Sequence, residues 1–296
     1  MKKIYFQDGE NYDIQKDKVV KATKYKASGD IEILDTSNQK NGFDGIEKIS
    51  KYEYYDLKSN TTKLYKISGP KSKVSLRKSM KCLEKKLKNN FLGGKNELFV
   101  TLTTDIPITD IEEMKYYFKV FWDKLKSLYD GLEYAYIIEM QDERNSWHFH
   151  LLLKDMKNKI LYIPNSTIEK LWNKGHTKTS RITNNTKKHN NIDEAEYIDS
   201  IENSLFYVDE TFRIDKVISY MIKTRTKQKI PKGTRCYDTS RGLKSPEIEN
   251  VIYSEICSQM EGNYELKKEK TLLIRNTDTK AIVNKVKKET WKKIKQ

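Results

Sequence analysis

Two apolar runs separated by a short polar turn constrain the fold of this chain more than any other feature. The runs are "LEYAYIIEMQ" at 132–141 and "WHFHLLLKD" at 147–155, and "DERNS" lies between them. Short runs of apolar, β-branched and aromatic residues bounded by turn formers are typical of buried strands. The short connection makes an antiparallel hairpin the simplest pairing. The two runs therefore predict a sheet at the core of the protein.

Other segments extend this sheet and cover it. "NELFVTLTT", 96–104, is rich in β-branched and apolar residues, which predicts another strand. Helices are predicted at 72–94, at 105–131 and at 212–230 because apolar residues recur there at helical spacing. The expected fold class is α+β, a central antiparallel sheet with flanking helices on at least one face. Its strands are predicted at 97–104, 133–141 and 147–154.

The chain is predicted to have three parts. Residues 1–71 mix short alternating segments with Gly, Asn and Asp turn signals, which predicts a small hairpin-rich region without an assigned role. Residues 72–247 hold the elements named above, and one more strand is expected near 176–183. Residues 248–296 are rich in Lys and Glu and end in "KAIVNKVKKETWKKIKQ", which predicts a basic helical tail.

The net charge narrows the class of partner. The 296 residues include 57 Lys and Arg against 42 Asp and Glu, a formal charge of +15, which favours a polyanion such as nucleic acid or an anionic membrane surface. No run approaches the roughly 18 apolar residues of a membrane span, so no membrane insertion and a cytoplasmic location are expected. The three cysteines have no CxxC spacing, and no GxxxxGK[ST] loop supports an ATPase motor.

Half of the four histidines stand two residues apart inside the second apolar run. Alternate side chains of a strand share a face, so His148 and His150 would project from the same side with Cα atoms roughly 6.5 to 7 Å apart. That spacing lets two ring nitrogens reach one metal ion. On its own, an HxH pair is more often structural, so its interpretation depends on the residues around it.

The neighbouring strand offers a third ligand. Pairing across the turn brings Glu139, Gln141 or Glu143 to the histidine face, depending on the register, and Glu139 is the first choice. Two imidazoles and one carboxylate leave open positions for water and phosphate oxygens, as Mn²⁺ or Mg²⁺ acting as a Lewis acid requires. A closed zinc site would need four ligands, and no cysteine lies nearby in the sequence.

A metal ion that polarises a phosphate also needs a nucleophile. "SYMIKT" places Tyr220 and Lys223 three residues apart on one helix face. An ammonium beside a phenol of pKa about 10 can favour the phenolate or pair with the scissile phosphate. Because the chain has 19 tyrosines, this pair alone is weak evidence for a nucleophile. Its position after the other motifs in the chain is what makes it a candidate.

The order of these pieces resembles the three motifs of the rolling-circle replication initiators of the HUH endonuclease superfamily, in which U is a bulky apolar residue. "FVTLTT" at 99–104 matches the first motif, "HFH" at 148–150 the second, and "YMIK" at 220–223 the third. "LWNKGHTKTSRI" and "RCYDTSRGLK" also look like flanking segments of plasmid and phage replication proteins in this group. The resemblance covers about 72–245.

The resemblance implies a ferredoxin-like, RNA-recognition-type fold and a metal-dependent enzyme that nicks and rejoins one strand of a replication origin. Tyr220 would attack the scissile phosphorus and form a 5′-phosphotyrosyl link, with the metal held by His148, His150 and Glu139. The free 3′-hydroxyl would prime copying. The expected partners are single-stranded or cruciform origin DNA of a plasmid or phage, and a helicase and a DNA polymerase of the host.

The chain departs from this resemblance at two places. Relatives often have Arg-Gly shortly before the first His, whereas this chain has "ERNSW" at 143–147, so a differently shaped turn is expected. Some relatives carry a second Tyr, or a Glu, one helical turn from the nucleophile. Here those positions are Lys216 and Thr224, which predicts that no second tyrosine of this helix repeats the transfer.

A basic segment begins at the predicted nucleophile. Residues 220–244 contain eight Lys or Arg and a single acid, Asp238, where a DNA backbone would have to lie. Unpaired bases are expected to stack on Trp147 or Tyr237, although a place in the core explains either aromatic equally well. The predicted DNA-binding residues are Arg225, Lys227, Lys229, Arg235, Arg241, Lys244 and Trp147.

Two other functions fit the same sequence. A conjugative relaxase or a single-tyrosine transposase would use the same chemistry. Relaxases usually place the Tyr before the His motif and such transposases are shorter, so the order of motifs here favours replication. A non-catalytic DNA-binding regulator with structural histidines belongs to a different class.

Overall fold

The computed structural model divides into two compact units. One is the continuous segment Gly69–Ser245, hereafter the central unit, and the other combines Met1–Ser68 with Pro246–Gln296, hereafter the flanking unit. The residues that the structure describes are 4–36, 46–50, 52–57, 59–65, 73–141, 144–183, 211–227 and 234–294.

The described residues form strands and helices in both units. In chain order the strands are β1 (Ile4–Gly9), β2 (Val19–Lys24), β3 (Ile31–Thr36), β4 (Ile46–Lys48), β5 (Glu53–Asp56), β6 (Thr61–Leu64), β7 (Glu97–Leu102), β8 (Leu132–Gln141), β9 (Ser146–Asp155), β10 (Thr177–Thr183), β11 (Thr211–Arg213), β12 (Tyr237–Thr239), β13 (Glu247–Ile252), β14 (Tyr264–Asn276) and β15 (Ile282–Lys293). The helices are α1 (Lys73–Asn90), α2 (Ile111–Leu128), α3 (Asn165–Trp172), α4 (Ile214–Lys227) and α5 (Tyr253–Met260).

The central unit contains a six-stranded sheet with the predicted hairpin, β8 and β9, inside it. The strand order is β11-β10-β7-β9-β8-β12, and all neighbours are antiparallel except β10 and β11. The chain order β7-α2-β8-β9-α3-β10 with the spatial order β10-β7-β9-β8 is the β-α-β-β-α-β arrangement of ferredoxin-like folds. The predicted α+β class with a central antiparallel sheet is confirmed.

Alternation along β9 gives the central sheet two different faces. The ring of Phe149 lies 4.9 Å from that of Phe118 in α2 and 6.3 Å from that of Trp172 in α3, between centroids. The next residue, His150, points the other way and contacts Tyr220 of α4. Because helices pack on both faces, β9 has few exposed positions and is apolar along most of its length.

Three helices of the central unit, α1, α2 and α4, form within the segments that the periodicity predicts, whereas α3 was not predicted. α2 begins after Asp110, whose carboxylate accepts the backbone N–H of Glu112 at 2.9 Å, which satisfies one of the donors left unpaired at a helix N-terminus. α1 packs against α4. The predicted apolar stripe of α1 is buried at Leu76, Met80, Leu83 and Leu87.

The flanking unit corrects the prediction of a basic helical tail at 248–296. This segment contributes β13, β14 and β15 to a second six-stranded sheet of order β1-β14-β15-β3-β2-β13, and α5 lies between β13 and β14 in the chain. Its strands therefore pair with β1, β2 and β3 from the beginning of the chain. Within the described part of 248–296, α5 is the helix and most other residues are extended. A small sheet of β4, β5 and β6 belongs to the same unit.

The strands β14 and β15 are hard to find from hydrophobicity because some of their buried positions are charged. Lys287 and Glu289 are both buried. The Lys287 ammonium lies 3.0 Å from a carboxylate oxygen of Glu269 and 3.4 Å from one of Glu289. Buried charges are tolerated where they are paired in this way. The period of two is therefore absent from the apolar residues, and the Lys- and Glu-rich composition is that of a helix.

Candidate active site

The register of the hairpin decides which carboxylate meets the histidines. Glu139 is the cross-strand partner of His148, and Gln141 is the partner of Ser146 at the end of the strand. Directly opposed residues of paired strands project from the same face. The structure therefore brings Glu139 to the histidines. Glu143, the other alternative, lies outside the described residues.

Glu139, His148 and His150 form a group that could hold a metal ion. The Nε2 atoms of the two histidines are 2.9 Å apart. Glu139 Oε2 lies 3.3 Å from Nε2 of His150 and 3.7 Å from Nε2 of His148. Two imidazole nitrogens and one carboxylate oxygen are ligands that divalent metals accept, and three ligands leave coordination positions for a substrate. The donor set thus fits the predicted ion, although it does not select one metal.

The three side chains of the group differ in exposure. The side chains of His148 and Glu139 keep 13% and 12% of their surface exposed, whereas that of His150 keeps 3%. His148 and Glu139 are therefore the partly exposed members of the group, and His150 is its covered member.

Tyr220 reaches the same group from α4, 70 residues further along the chain. Its Oη lies 2.8 Å from Nε2 of His150, and the two rings meet edge to face with centroids 4.8 Å apart. The helix is held in place by Val217, Ile218 and Met221, which are buried in the core of the central unit. Tyr220 itself is only 4% exposed. The phenol oxygen therefore lies next to the atoms that would bind an ion.

Lys223 and the positions one turn from Tyr220 differ in exposure. Lys223 is exposed on the last part of α4, while Tyr220 is buried. Lys216 is half-buried one turn earlier. The backbone of Thr224 belongs to α4, but its side chain is not among those that the structure describes. The second tyrosine that some relatives carry thus has no counterpart at either position.

The first motif supplies residues that contact His150 directly. Thr101 of β7 is the cross-strand partner of His150, and its Oγ1 lies 3.3 Å from Nδ1 of that ring. Phe99 stacks on the same imidazole, with ring centroids 5.9 Å apart and planes 9° apart. The sequence motif gave neither residue a role. Their importance depends on the pairing of β7 with β9, which a motif alone does not contain.

Lys178 is a third residue of this face to which the sequence gave no role. It is the partner of Thr101 on the other side of β7, so strand alternation places it on the face that carries His150. Its ammonium lies 5.9 Å from the centroid of the Phe212 ring. The segment "LWNKGHTKTSRI" contains Lys178 among several cations. Only the register of β10 shows which of these cations lies on the face of His150.

The turn before the histidines contains a left-handed residue. Asn145 has φ 47°, a conformation that Gly adopts freely and that Asn tolerates better than most residues. The Arg144 guanidinium donates to the carbonyls of Thr104 at 3.2 Å and Asp105 at 3.1 Å. Residues 142–143 of this turn lie outside the described residues, so the expected difference in the shape of the turn stays a prediction.

The predicted DNA-binding cations are only partly described. Arg235 has an 82% exposed side chain 3.8 Å from Asp238, and Arg241 and Lys244 are exposed in the segment after β12. The backbone of Lys244 is held by the side-chain amides of Asn89 and Asn90 in α1. Lys229 lies outside the described residues, as do the side chains of Arg225 and Lys227, although their backbone belongs to α4.

Trp147 is not available for base stacking in this structure, which corrects its prediction as a DNA-binding residue. Its ring is 6% exposed, and its indole N–H donates to the carbonyl of Thr109 at 2.8 Å. As a neighbour of His148 in β9, it points to the opposite face of the sheet. Tyr237 is half-buried, and burial raises the pKa of its phenol.

One comparison with known proteins bears on this site. Residues 97–199 match a family model of replication-associated proteins, described as "Replication-associated protein ORF2", which supports a replication initiator family. The matched segment is less than half of the chain; it contains Glu139, His148 and His150 and ends before Tyr220. No curated protein and no solved structure was found to match the chain. None of the described helices has the length and apolarity needed to span a membrane.

Proposed function

We propose that the central unit is a metal-dependent DNA nicking and joining enzyme of the HUH type that starts rolling-circle replication of a plasmid or phage in the cytoplasm. The observation that carries this proposal is the approach of Tyr220 Oη to within 2.8 Å of His150 Nε2, inside a group that also contains His148 and Glu139. The match to replication-associated proteins over 97–199 and the net charge of +15 support it.

The residues of the chain would have separate tasks. Glu139, His148 and His150 would hold Mn²⁺ or Mg²⁺, and the bound ion would stabilise charge on a non-bridging oxygen of the scissile phosphate. Tyr220 would supply the nucleophile. Lys223, exposed one turn further along α4, would pair with the DNA backbone beside the site.

The proposed reaction exchanges one phosphodiester for another. Tyr220 Oη forms a bond to the scissile phosphorus, and the bond from phosphorus to the 3′ oxygen breaks. The phenol loses one proton and the departing 3′ oxygen gains one, so no water or other reactant is consumed. The products are a 5′-phosphotyrosyl link and a free 3′-hydroxyl. In the joining step a 3′-hydroxyl attacks the phosphotyrosine, and Tyr220 recovers its proton.

The substrate would be single-stranded or cruciform origin DNA. The basic segment from Lys223 to Lys244 would contact its phosphates, chiefly through Arg235, Arg241 and Lys244 among the described side chains. Since the sequence has no GxxxxGK[ST] loop, strand separation and copying would require a host helicase and DNA polymerase.

The decisive experiment is an adduct assay with the full chain, Mn²⁺ and single-stranded origin DNA labelled on the side 3′ to the nick. We expect a complex that survives denaturant and disappears in Tyr220→Phe. Tyr136→Phe is the matched control, because Tyr136 is buried to a similar degree but faces α2 on the other side of the sheet. Tight DNA binding without any adduct would instead favour a non-catalytic regulator.

A further inference from the structure

We infer that Thr101 is a positioning residue, which holds His150 in the tautomer that directs its Nε2 lone pair toward Glu139 and His148. This inference rests on the proposed metal site and extends it to a residue of β7. Thr101 would not touch the ion or the DNA. It would act through the far nitrogen of a ligand.

The contact follows from strand register. Thr101 and His150 are direct partners in the antiparallel pair of β7 and β9, so their side chains leave the sheet together on one face. Thr101 Oγ1 lies 3.3 Å from Nδ1 of His150, while Nε2 of the same ring faces the carboxylate of Glu139 at 3.3 Å. The two ring nitrogens thus have different neighbours: Nδ1 lies near the Thr101 hydroxyl, whereas Nε2 lies near Glu139, His148 and the phenol of Tyr220.

The inferred tautomer of His150 is the one in which the Thr101 hydroxyl accepts the Nδ1–H. A neutral imidazole carries its proton on one nitrogen and a lone pair on the other, and only the lone pair can bind a metal. When the Nδ1–H of His150 donates to Thr101 Oγ1, the lone pair stays on Nε2. Hydrogen-bond acceptors behind metal-binding histidines commonly set ring orientation and ligand strength in this way.

Two aromatic contacts restrict rotation of the same ring. Phe99 stacks on the imidazole with planes 9° apart, and Tyr220 meets it nearly at a right angle, 83°. A half-turn of His150 about its Cβ–Cγ bond would exchange Nδ1 with Cδ2 and Nε2 with Cε1, so both nitrogens would leave their present neighbours. The flat face of Phe99 does not prevent that exchange by itself, because a half-turn leaves the ring plane unchanged. The hydroxyl of Thr101 is therefore the contact at Nδ1 that distinguishes the two orientations, beside the contacts of Nε2 with Glu139 and Tyr220.

The test compares Thr101→Val with Thr101→Ser in the full chain. Valine keeps the branched shape of threonine and its preference for strands but has no hydroxyl, whereas serine keeps the hydroxyl. Binding of Mn²⁺ is measured by titration without DNA, following the electron paramagnetic resonance of free Mn²⁺. We expect Thr101→Val to weaken Mn²⁺ binding about 10- to 100-fold, the range typical of such supporting residues, and Thr101→Ser to stay within about threefold of the unchanged protein.

Adduct formation as a function of Mn²⁺ concentration gives the second readout. Thr101→Val should need more Mn²⁺ for half-maximal rate and recover most of the rate at saturation, which general damage to the fold would not produce. Wild-type affinity for Mn²⁺ in Thr101→Val, or equal loss in both variants, would overturn the inference. So would an unchanged protein that binds no Mn²⁺. If the protein binds Mn²⁺ but never forms an adduct, the nicking proposal fails while the titration still decides the role of Thr101.

Discussion

Alternate residues of one strand, β9, lie in two chemically different surroundings. Trp147 and Phe149 are buried on one face, where Phe149 contacts aromatic rings of α2 and α3 and the indole N–H of Trp147 donates to the carbonyl of Thr109. His148 and His150 meet a carboxylate and a phenol on the other face. The pleat of a strand that is packed on both sides sets the spacing and direction of the two imidazoles. The apolar face therefore gives the histidines a rigid base, as a preorganised site needs.

Because the two faces of β9 have different surroundings, substitutions on them should have different effects. A change on the face of His148 should alter the proposed reaction and leave the free energy of unfolding nearly constant. A change on the face of Phe149 should lower the free energy of unfolding and leave the metal affinity of the folded protein unchanged. Each of the following variants tests one side of that comparison.

The largest effect is expected for His148→Ala. Loss of one ligand should lower the rate of adduct formation by at least about 10³-fold, because a Lewis-acid metal contributes several kcal/mol to the stabilisation of the transition state. Binding of single-stranded DNA should remain, since contacts to phosphates supply most of that affinity. Rates come from quenched adduct assays and affinities from fluorescence anisotropy at the same salt concentration.

His148 suits this test better than His150 because its side chain is partly exposed and its removal disturbs less packing. Urea unfolding should give nearly the same midpoint for His148→Ala and for the unchanged protein. If His148→Ala formed the adduct at the full rate, His148 would not be a ligand of the proposed metal site. The proposed difference in chemistry between the two faces of β9 would then be wrong.

A large loss of stability is expected for Phe149→Ala on the other face. The ring is fully buried between α2 and α3, so its removal should lower the free energy of unfolding by about 3–5 kcal/mol. Phe149→Leu is the control and should cost less, because it retains much of the buried volume. Mn²⁺ titration of the folded protein should give an unchanged affinity in both variants. A weaker affinity in folded Phe149→Leu would show that packing under the strand controls ligand geometry, and the faces would then be coupled.

Local patterns in the sequence were sufficient for the elements that carry the site. The apolar runs at 132–141 and 147–155 and the helical stripe of α1 correspond to β8, β9 and α1 with small shifts at their ends. The two histidines share a face because a strand has a period of two, which needs no knowledge of the fold. The choice of Glu139 over Gln141 required the register of the hairpin, which the turn "DERNS" alone did not determine.

Features that depend on distant pairing could not be predicted in the same way. Thr101 gains its contact with His150 from a pairing across 49 residues, and Lys178 gains its place from a further strand beside β7. In the flanking unit, the buried pair Lys287 and Glu289 replaces apolar residues, so hydrophobicity gave no sign of β15. Trp147 is a different case, because strand alternation already placed it on the face opposite the histidines.

The smallest effect is expected for single-stranded DNA binding by Trp147→Leu. If the indole stacked on a base, its loss would cost about 1–3 kcal/mol of binding free energy, or roughly 5- to 150-fold in affinity. The ring of Trp147 is buried, and its N–H donates to the carbonyl of Thr109. We therefore expect the affinity of the folded variant for single-stranded DNA to change by less than about twofold, because such a residue makes no contact with phosphates or bases.

Lys244→Ala supplies the contrast for that measurement, because Lys244 is exposed and was predicted to contact phosphate. It should weaken binding and reduce the dependence of log affinity on log salt concentration by about 0.7, the value for one phosphate contact on a single strand. Trp147→Leu should leave that dependence unchanged while it lowers the free energy of unfolding. A tenfold loss of affinity in folded Trp147→Leu would mean that DNA reaches the face of Phe149, and the assignment of chemistry to the histidine face alone would be wrong.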